Sequence, residues 1–207
     1  MLLSKREWPV VVVNLIYVPV FSVVAMGRSN YEFLLYVAVI LVVAGLILFS
    51  QPRIRFGPPV LWGLTVWGFL HMAGGNVAVG DGVLYGMTLV PIVERVAPDG
   101  EPFVLLRYDQ LVHTFGFGVA TLVMHHLLRP QLRPARRTAP SLFIMVILIG
   151  CGVGAANEVI EFAAVLIFPE TGVGGYYNTA LDLVFNLLGA TLAATWLAVR
   201  GTLVPES

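Results

Sequence analysis

Residues 141–168, SLFIMVILIGCGVGAANEVIEFAAVLIF, decide how this chain is read. The run exceeds the roughly 20 apolar residues that an α-helix needs to cross a hydrocarbon core of about 30 Å. It holds no proline and no basic residue, yet it carries Glu158 and Glu161. Lipid tolerates carboxylates only where they face the bundle interior or a wet cavity, so this stretch reads as a membrane helix with a functional face.

Blocks of the same kind lie on both sides of it. With Ser141–Phe168, the spans are Trp8–Met26, Tyr31–Phe49, Pro58–Ala73, Asp109–Leu128 and Thr179–Val199. The expected fold is all-α, a polytopic membrane bundle of six transmembrane helices forming one integral membrane domain over residues 1–207. Composition agrees, with 58% hydrophobic and 12% charged residues and a mean hydropathy of +0.87. A soluble domain of this size carries about twice that charge fraction. Cys151 is the single cysteine, which excludes a disulfide framework and a cysteine metal cluster. Zero formal net charge without a basic stripe gives no case for nucleic acid. Lys5 and Arg6 before the first apolar run, with Val23-Val24-Ala25 after it, loosely fit a signal peptide. The length of that run and the five spans that follow favour an uncleaved first helix.

Lys and Arg set the orientation. With the N-terminus inside, the inner segments hold Lys5, Arg6, Arg53, Arg55, Arg129, Arg133, Arg136, Arg137 and Arg200. The outer segments hold only Arg28, Arg95 and Arg107. The expectation is an inner (cell) membrane protein, multi-pass, with both termini cytoplasmic. The longest outer connection runs from Gly74 to Arg107. Val77, Val79, Val83 and Tyr85 around Gly80-Asp81-Gly82 predict a short hairpin, and Met87 to Ala97 predict an interfacial helix with Pro91 near its start. This connection reads equally as an ordered cap or as a plain connector.

Helical rise places the polar groups at one depth. His71 lies roughly 20 Å beyond Pro58, and Glu158 roughly 26 Å beyond Ser141, at 1.5 Å per residue. Asp109 and Asp182 fall in the first turn of spans entering from outside, with His113 one turn deeper. Asp109 and His113 are spaced i, i+4; Glu158 and Glu161 i, i+3; Asn178, Asp182 and Asn186 form a stripe at i, i+4, i+8. Each set shares a helix face. Ionised, the four carboxylates exceed the charge that His71 and His113 can supply, so protons, a cation or water must make up the difference. Imidazole with carboxylate suits Zn, Mn or Fe. The candidate metal ligands are His71, Asp109, His113, Glu161 and Asp182, while Glu158 or Glu161 is the general base and Arg107 the contact for an anionic headgroup.

Other polar residues read differently. His125 and His126 are expected to cap helix carbonyls and meet headgroups at the inner side. Tyr108, Tyr176 and Tyr177 are expected in the outer aromatic belt, with Tyr108, Asn178 and Asn186 secondary to the polar cluster. Trp62 and Trp67 are expected to pack. The glycines and alanines at positions 116, 118, 150, 152 and 154–156 allow close helix approach.

These segments resemble a known family. His71-Met-Ala-Gly-Gly, Arg107-Tyr-Asp-Gln-Leu-Val-His113-Thr-Phe-Gly-Phe-Gly, Asn157-Glu-Val-Ile-Glu161-Phe and Asn178-Thr-Ala-Leu-Asp182-Leu resemble the YjdF-type bacterial inner-membrane proteins. The likeness covers about residues 65 to 192, and Asn178 stands where that family usually has aspartate. It implies a membrane site without implying a reaction. Asp182-Leu-Val-Phe-Asn186-Leu-Leu-Gly-Ala is also similar to the closing motif of VanZ-like proteins, which are associated with the cell envelope. Three functions fit: a metal-assisted enzyme acting on a lipid or envelope precursor at the outer leaflet, a proton- or cation-coupled transporter, and a non-catalytic membrane binding protein. No Walker loop, nucleophile elbow or HExxH pattern is present to narrow them.

Overall fold

The computed structural model describes residues 4–89, 94–96, 102–132 and 140–203. Among these, six α-helices occur: α1 Trp8–Gly27, α2 Tyr31–Ile54, α3 Pro58–Asn76, α4 Tyr108–Leu128, α5 Pro140–Ile167 and α6 Tyr176–Val199. All but α3 are long and apolar enough to cross a membrane. The architecture is an all-α membrane bundle. Four short strands, β1 Ala78–Val79, β2 Gly82–Val83, β3 Glu94–Val96 and β4 Pro102–Val104, belong to the connection between α3 and α4.

Local chemistry starts and stops the helices. Prolines occupy the first positions of α1 and α3, where a missing N–H costs nothing. Asn30 caps α2 by accepting from the Phe33 N–H at 3.3 Å. Gln110 Oε1 accepts the Arg107 N–H at 2.8 Å and so closes the start of α4. α2 runs beyond Phe49 with Pro52 in its last turn, and it ends where Arg55 turns left-handed at φ 54°. α6 begins at Tyr176 rather than Thr179, since the Gly175 carbonyl accepts from the Asn178 N–H. That extra turn brings Asn178 into the helix.

α4 is the central helix, packed against α6, α5 and α3, while α1 leans on α3 and α2. The tightest crossing is between α4 and α6. A Cβ at Gly189 would overlap the Thr114 carbonyl oxygen and the Gly118 amide, so the two backbones touch. Membrane helices associate through such small residues because lipid gives apolar side chains no reason to leave it. The same logic explains the large exposed side chains, among them Leu15, Leu41, Leu148, Leu166 and Leu192. Trp62 joins them at 38% exposure instead of packing inside, whereas Trp67 lies against His71 and over Gly116.

Contacts between helix ends sort the bundle into two faces. Gln51 at the end of α2 donates to Glu7 before α1, and His125 near the end of α4 bonds the Leu203 carbonyl at 2.9 Å. At the opposite face Arg28 donates to the Asn76 carbonyl at 2.7 Å. His125 is therefore buried against the C-terminal segment rather than meeting headgroups, while His126 bonds the Leu122 carbonyl of its own helix. Arg133, Arg136 and Arg137 lie outside the described residues.

The α3–α4 connection is a ribbon. β1 pairs antiparallel with β2, and Gly80, with φ +56°, takes the first of the two turn positions, where a type II′ hairpin calls for glycine. Of the expected helix over Met87–Ala97, none of the described residues is helical. Met87 is extended, Thr88 bridges to Arg107 and β3 pairs antiparallel with β4. Pairing Thr88 with Arg107 seats the ribbon directly above the start of α4. Pro91 and Ala97 lie outside the described residues.

Candidate functional site

The site grows from three helix faces. α4 supplies Asp109 and His113, α6 supplies Asn178, Asp182 and Asn186, and α5 supplies Glu158 and Glu161, and the glycine contact between α4 and α6 holds the first two faces together. His113 Nε2 lies 3.5 Å from Asp109 Oδ1 and 3.9 Å from Asp182 Oδ1. His113 Nδ1 lies 4.0 Å from Glu158 Oε1. Ligand atoms of Asp109, His113 and Asp182 fall within 4.8 Å of one another, as do those of His113, Glu158 and Glu161.

Neighbouring amides decide which lone pairs are free. His113 Nδ1 is 2.9 Å from Asn186 Oδ1. A carbonyl oxygen only accepts, so Nδ1 carries the proton and Nε2 presents a lone pair. Asn178 Nδ2 donates to Asp182 Oδ2 at 2.7 Å and to Asp109 Oδ2 at 3.3 Å. This clamp leaves the Oδ1 atom of each aspartate turned toward His113 Nε2, and Gln110 Nε2 steadies Asp182 Oδ1 at 3.2 Å. Tetrahedral ligands at about 2.1 Å from an ion are about 3.4 Å apart, close to the 3.5 Å found for the first pair.

Glu158 is different. Both of its carboxylate oxygens are buried without a hydrogen-bond partner, and so is Asn186 Nδ2. Its side chain is 9% exposed. Glu161 Oε1 accepts from Asn157 Nδ2 at 2.7 Å, which leaves its second oxygen uncommitted by that bond. Gly154 makes the room: a Cβ there would collide with the Asn186 side chain.

His71 belongs to neither group of converging ligand atoms. It sits in an aromatic box of Phe33, Tyr36, Trp67 and Tyr85, with Nδ1 hydrogen-bonded to the Tyr85 hydroxyl at 2.5 Å. Gly74 and Gly75 seat this box, since a Cβ on either would strike the ring of Tyr85 or Phe33. Burial, and after it the negative Asp109, push the Tyr85 hydroxyl well above the ordinary tyrosine range, so it stays protonated. Tyr108 is 7% exposed and not a belt residue. Its hydroxyl donates to the Leu70 carbonyl at 3.0 Å and its ring meets Tyr85. Tyr176, 79% exposed, does face outward.

Several contributors carry little sequence signal. Tyr85 reads as a hairpin residue, and only the fold turns it inward beneath the ribbon. Gln110 follows Asp109 directly, and its polarity in the first turn of a span is a usable cue. Glu32 is a fifth carboxylate within a span and was legible as one. It is 6% exposed, accepting from Tyr36 at 2.9 Å and from the Gly172 N–H at 2.6 Å. It thereby ties the α5–α6 connection to α2. A cavity of about 550 Å³ opens between the hairpin and that connection, lined by Tyr85, Met87, Arg107, Asp109, Gly172 and Asn178 among others. Arg107 and Asp109 thus share one accessible space.

The chain matches, over residues 9–202, the family described as "Predicted membrane protein (DUF2238)", in keeping with the YjdF-type resemblance. No curated protein matches, and no solved structure does. The likeness of the last span to VanZ-like proteins finds no support in these comparisons. Matched along nearly its whole length, the chain belongs to the DUF2238 family of predicted membrane proteins.

Proposed function

We propose that this multi-pass membrane protein is a metal-assisted enzyme acting on a lipid or cell-envelope precursor at the outer leaflet. A divalent Zn, Mn or Fe ion would be held by Asp109, His113 and Asp182. The observation that carries the reading is the convergence of Asp109 Oδ1, Asp182 Oδ1 and His113 Nε2, each side chain oriented by an asparagine amide of α6. Hydrogen bonds of this kind, from neighbouring amides to the ligands' other atoms, hold ligands in place at metal sites. When bound, the ion supplies a Lewis acid and an acidified water. Glu158, whose buried oxygens make no hydrogen bond, would serve as the general base. Arg107, lining the same cavity as Asp109, meets the anionic headgroup of the substrate. His71 is better placed to hold Tyr85 and the ribbon over the site than to bind the ion. The orientation that fits has six spans, both termini cytoplasmic and the cavity outside.

The transporter reading fares less well. Among the described residues, the buried Thr121, His125, Thr65 and Gln51 of the inner half are bonded to the Phe117, Leu203, Leu61 and Phe56 carbonyls and do not continue a relay from the acids. The test is elemental analysis of protein purified without chelator. Stoichiometric metal, lost in the Asp109→Ala, His113→Ala double variant, is expected. Metal-free protein with the cluster intact would refute the proposal, and Glu161-dependent uptake in proteoliposomes would favour transport.

A further inference from the structure

We propose that the centre takes two cations, the second bound between Glu158 and Glu161 on the α5 side of His113. This rests on the reading of Asp109, His113 and Asp182 as the first position. Two observations point to it. Ligand atoms of Glu158 and Glu161 already lie within 4.8 Å of each other and of His113. Both oxygens of Glu158 are buried with no donor, although its side chain is only 9% exposed. A carboxylate so placed must gain a cation or a proton.

Charge decides how much is missing. Asp109, Asp182, Glu158 and Glu161 carry four negative charges when ionised, and one divalent ion cancels half of them. Among the described residues, the ion pairs of Asp109, Asp182 and Glu158 all run to His113, with no Lys or Arg. His113 cannot serve both positions as a neutral ring, because its Nδ1 proton is directed to Asn186 Oδ1. The second position is therefore all oxygen: Glu158 through one atom, its other staying free as the base, and Glu161 through the oxygen that Asn157 leaves free. Oxygen-only ligation favours a harder ion such as Mn or Mg over Zn. Two ions a few ångströms apart form a recognised catalytic arrangement.

The experiment loads intact, chelator-free protein with Mn²⁺ in detergent and reads both stoichiometry and the EPR spectrum. Two ions per chain with a spin-coupled signal are expected. Glu158→Gln and Glu161→Gln should each leave one ion with an uncoupled signal, and the retained ion itself shows that the variant is folded. One uncoupled ion in the wild type overturns the second position and leaves the first standing. Two ions retained in both variants overturn its placement at these glutamates. No ion in folded wild type overturns both proposals. Wild-type stoichiometry and coupling decide the matter even where a variant fails to fold.

Discussion

Asn186 governs His113 through a single hydrogen bond, and the metal reading turns on it. With its Oδ1 at 2.9 Å, the amide holds the ring proton on Nδ1. Asn186→Leu removes that acceptor and is expected to weaken metal binding roughly 10- to 100-fold, as loss of an outer-shell partner does. Asn186→Asp keeps an acceptor and should retain more of the affinity. Chelator competition on the two variants checks this ordering. Tyr85 gives a second prediction. Its hydroxyl is raised above the ordinary range, so the stability it contributes is present below the unfolded value of about 10 and is lost as pH climbs through the folded value. Tyrosinate absorbance titrated through about pH 10 should be the same for native wild type and Tyr85→Phe. Loss of one tyrosine's signal in the variant would contradict its burial beneath the ribbon. The carboxylates were legible in the sequence because each interrupts an apolar run. Tyr85 was not, because a tyrosine in a turn-rich connection has no periodicity to show which way it points.

Between elements, the α4–α6 contact aligns the ligands. Asp109 and His113 ride on one helix, Asp182 and Asn186 on the other, and Gly189 against Thr114 and Gly118 sets their separation. Gly189→Val forces the backbones apart and should cost about 1–3 kcal/mol, the usual range for overpacking. A lower midpoint in a detergent melt, together with weaker metal binding, is expected. Gly152→Ala is the control: nothing lies within 4 Å of the added Cβ, so its melt should match or exceed the wild type. The i, i+4 and i, i+3 spacings were readable because helix geometry is local. Two outcomes ran against local reading, the extended backbone at Met87 and Thr88 and the buried Tyr108, and both arise where the connection docks on α4 through Thr88 and Arg107. A tertiary partner overrode local propensity there.

The whole molecule has two chemically distinct ends, and its topology can be tested directly. By sequence, nine Lys and Arg belong to the segments expected inside and three to those expected outside. A reporter fused after Ser207 should register as cytoplasmic, and one inserted in the Gly80-Asp81 turn as outside. The opposite result would invert the bundle and place the cavity within. Membrane character and the approximate positions of the helices follow from the chain alone, because in lipid each helix must satisfy its own backbone hydrogen bonds. Which atoms meet is another matter. His113 and Asn186 are 73 residues apart, and only the packing of α4 on α6 gives that imidazole its tautomer, draws the two Oδ1 atoms toward it, and leaves His71 in an aromatic box. Those outcomes depend on side-chain directions at helix crossings, which a pattern of spacings along one helix does not contain.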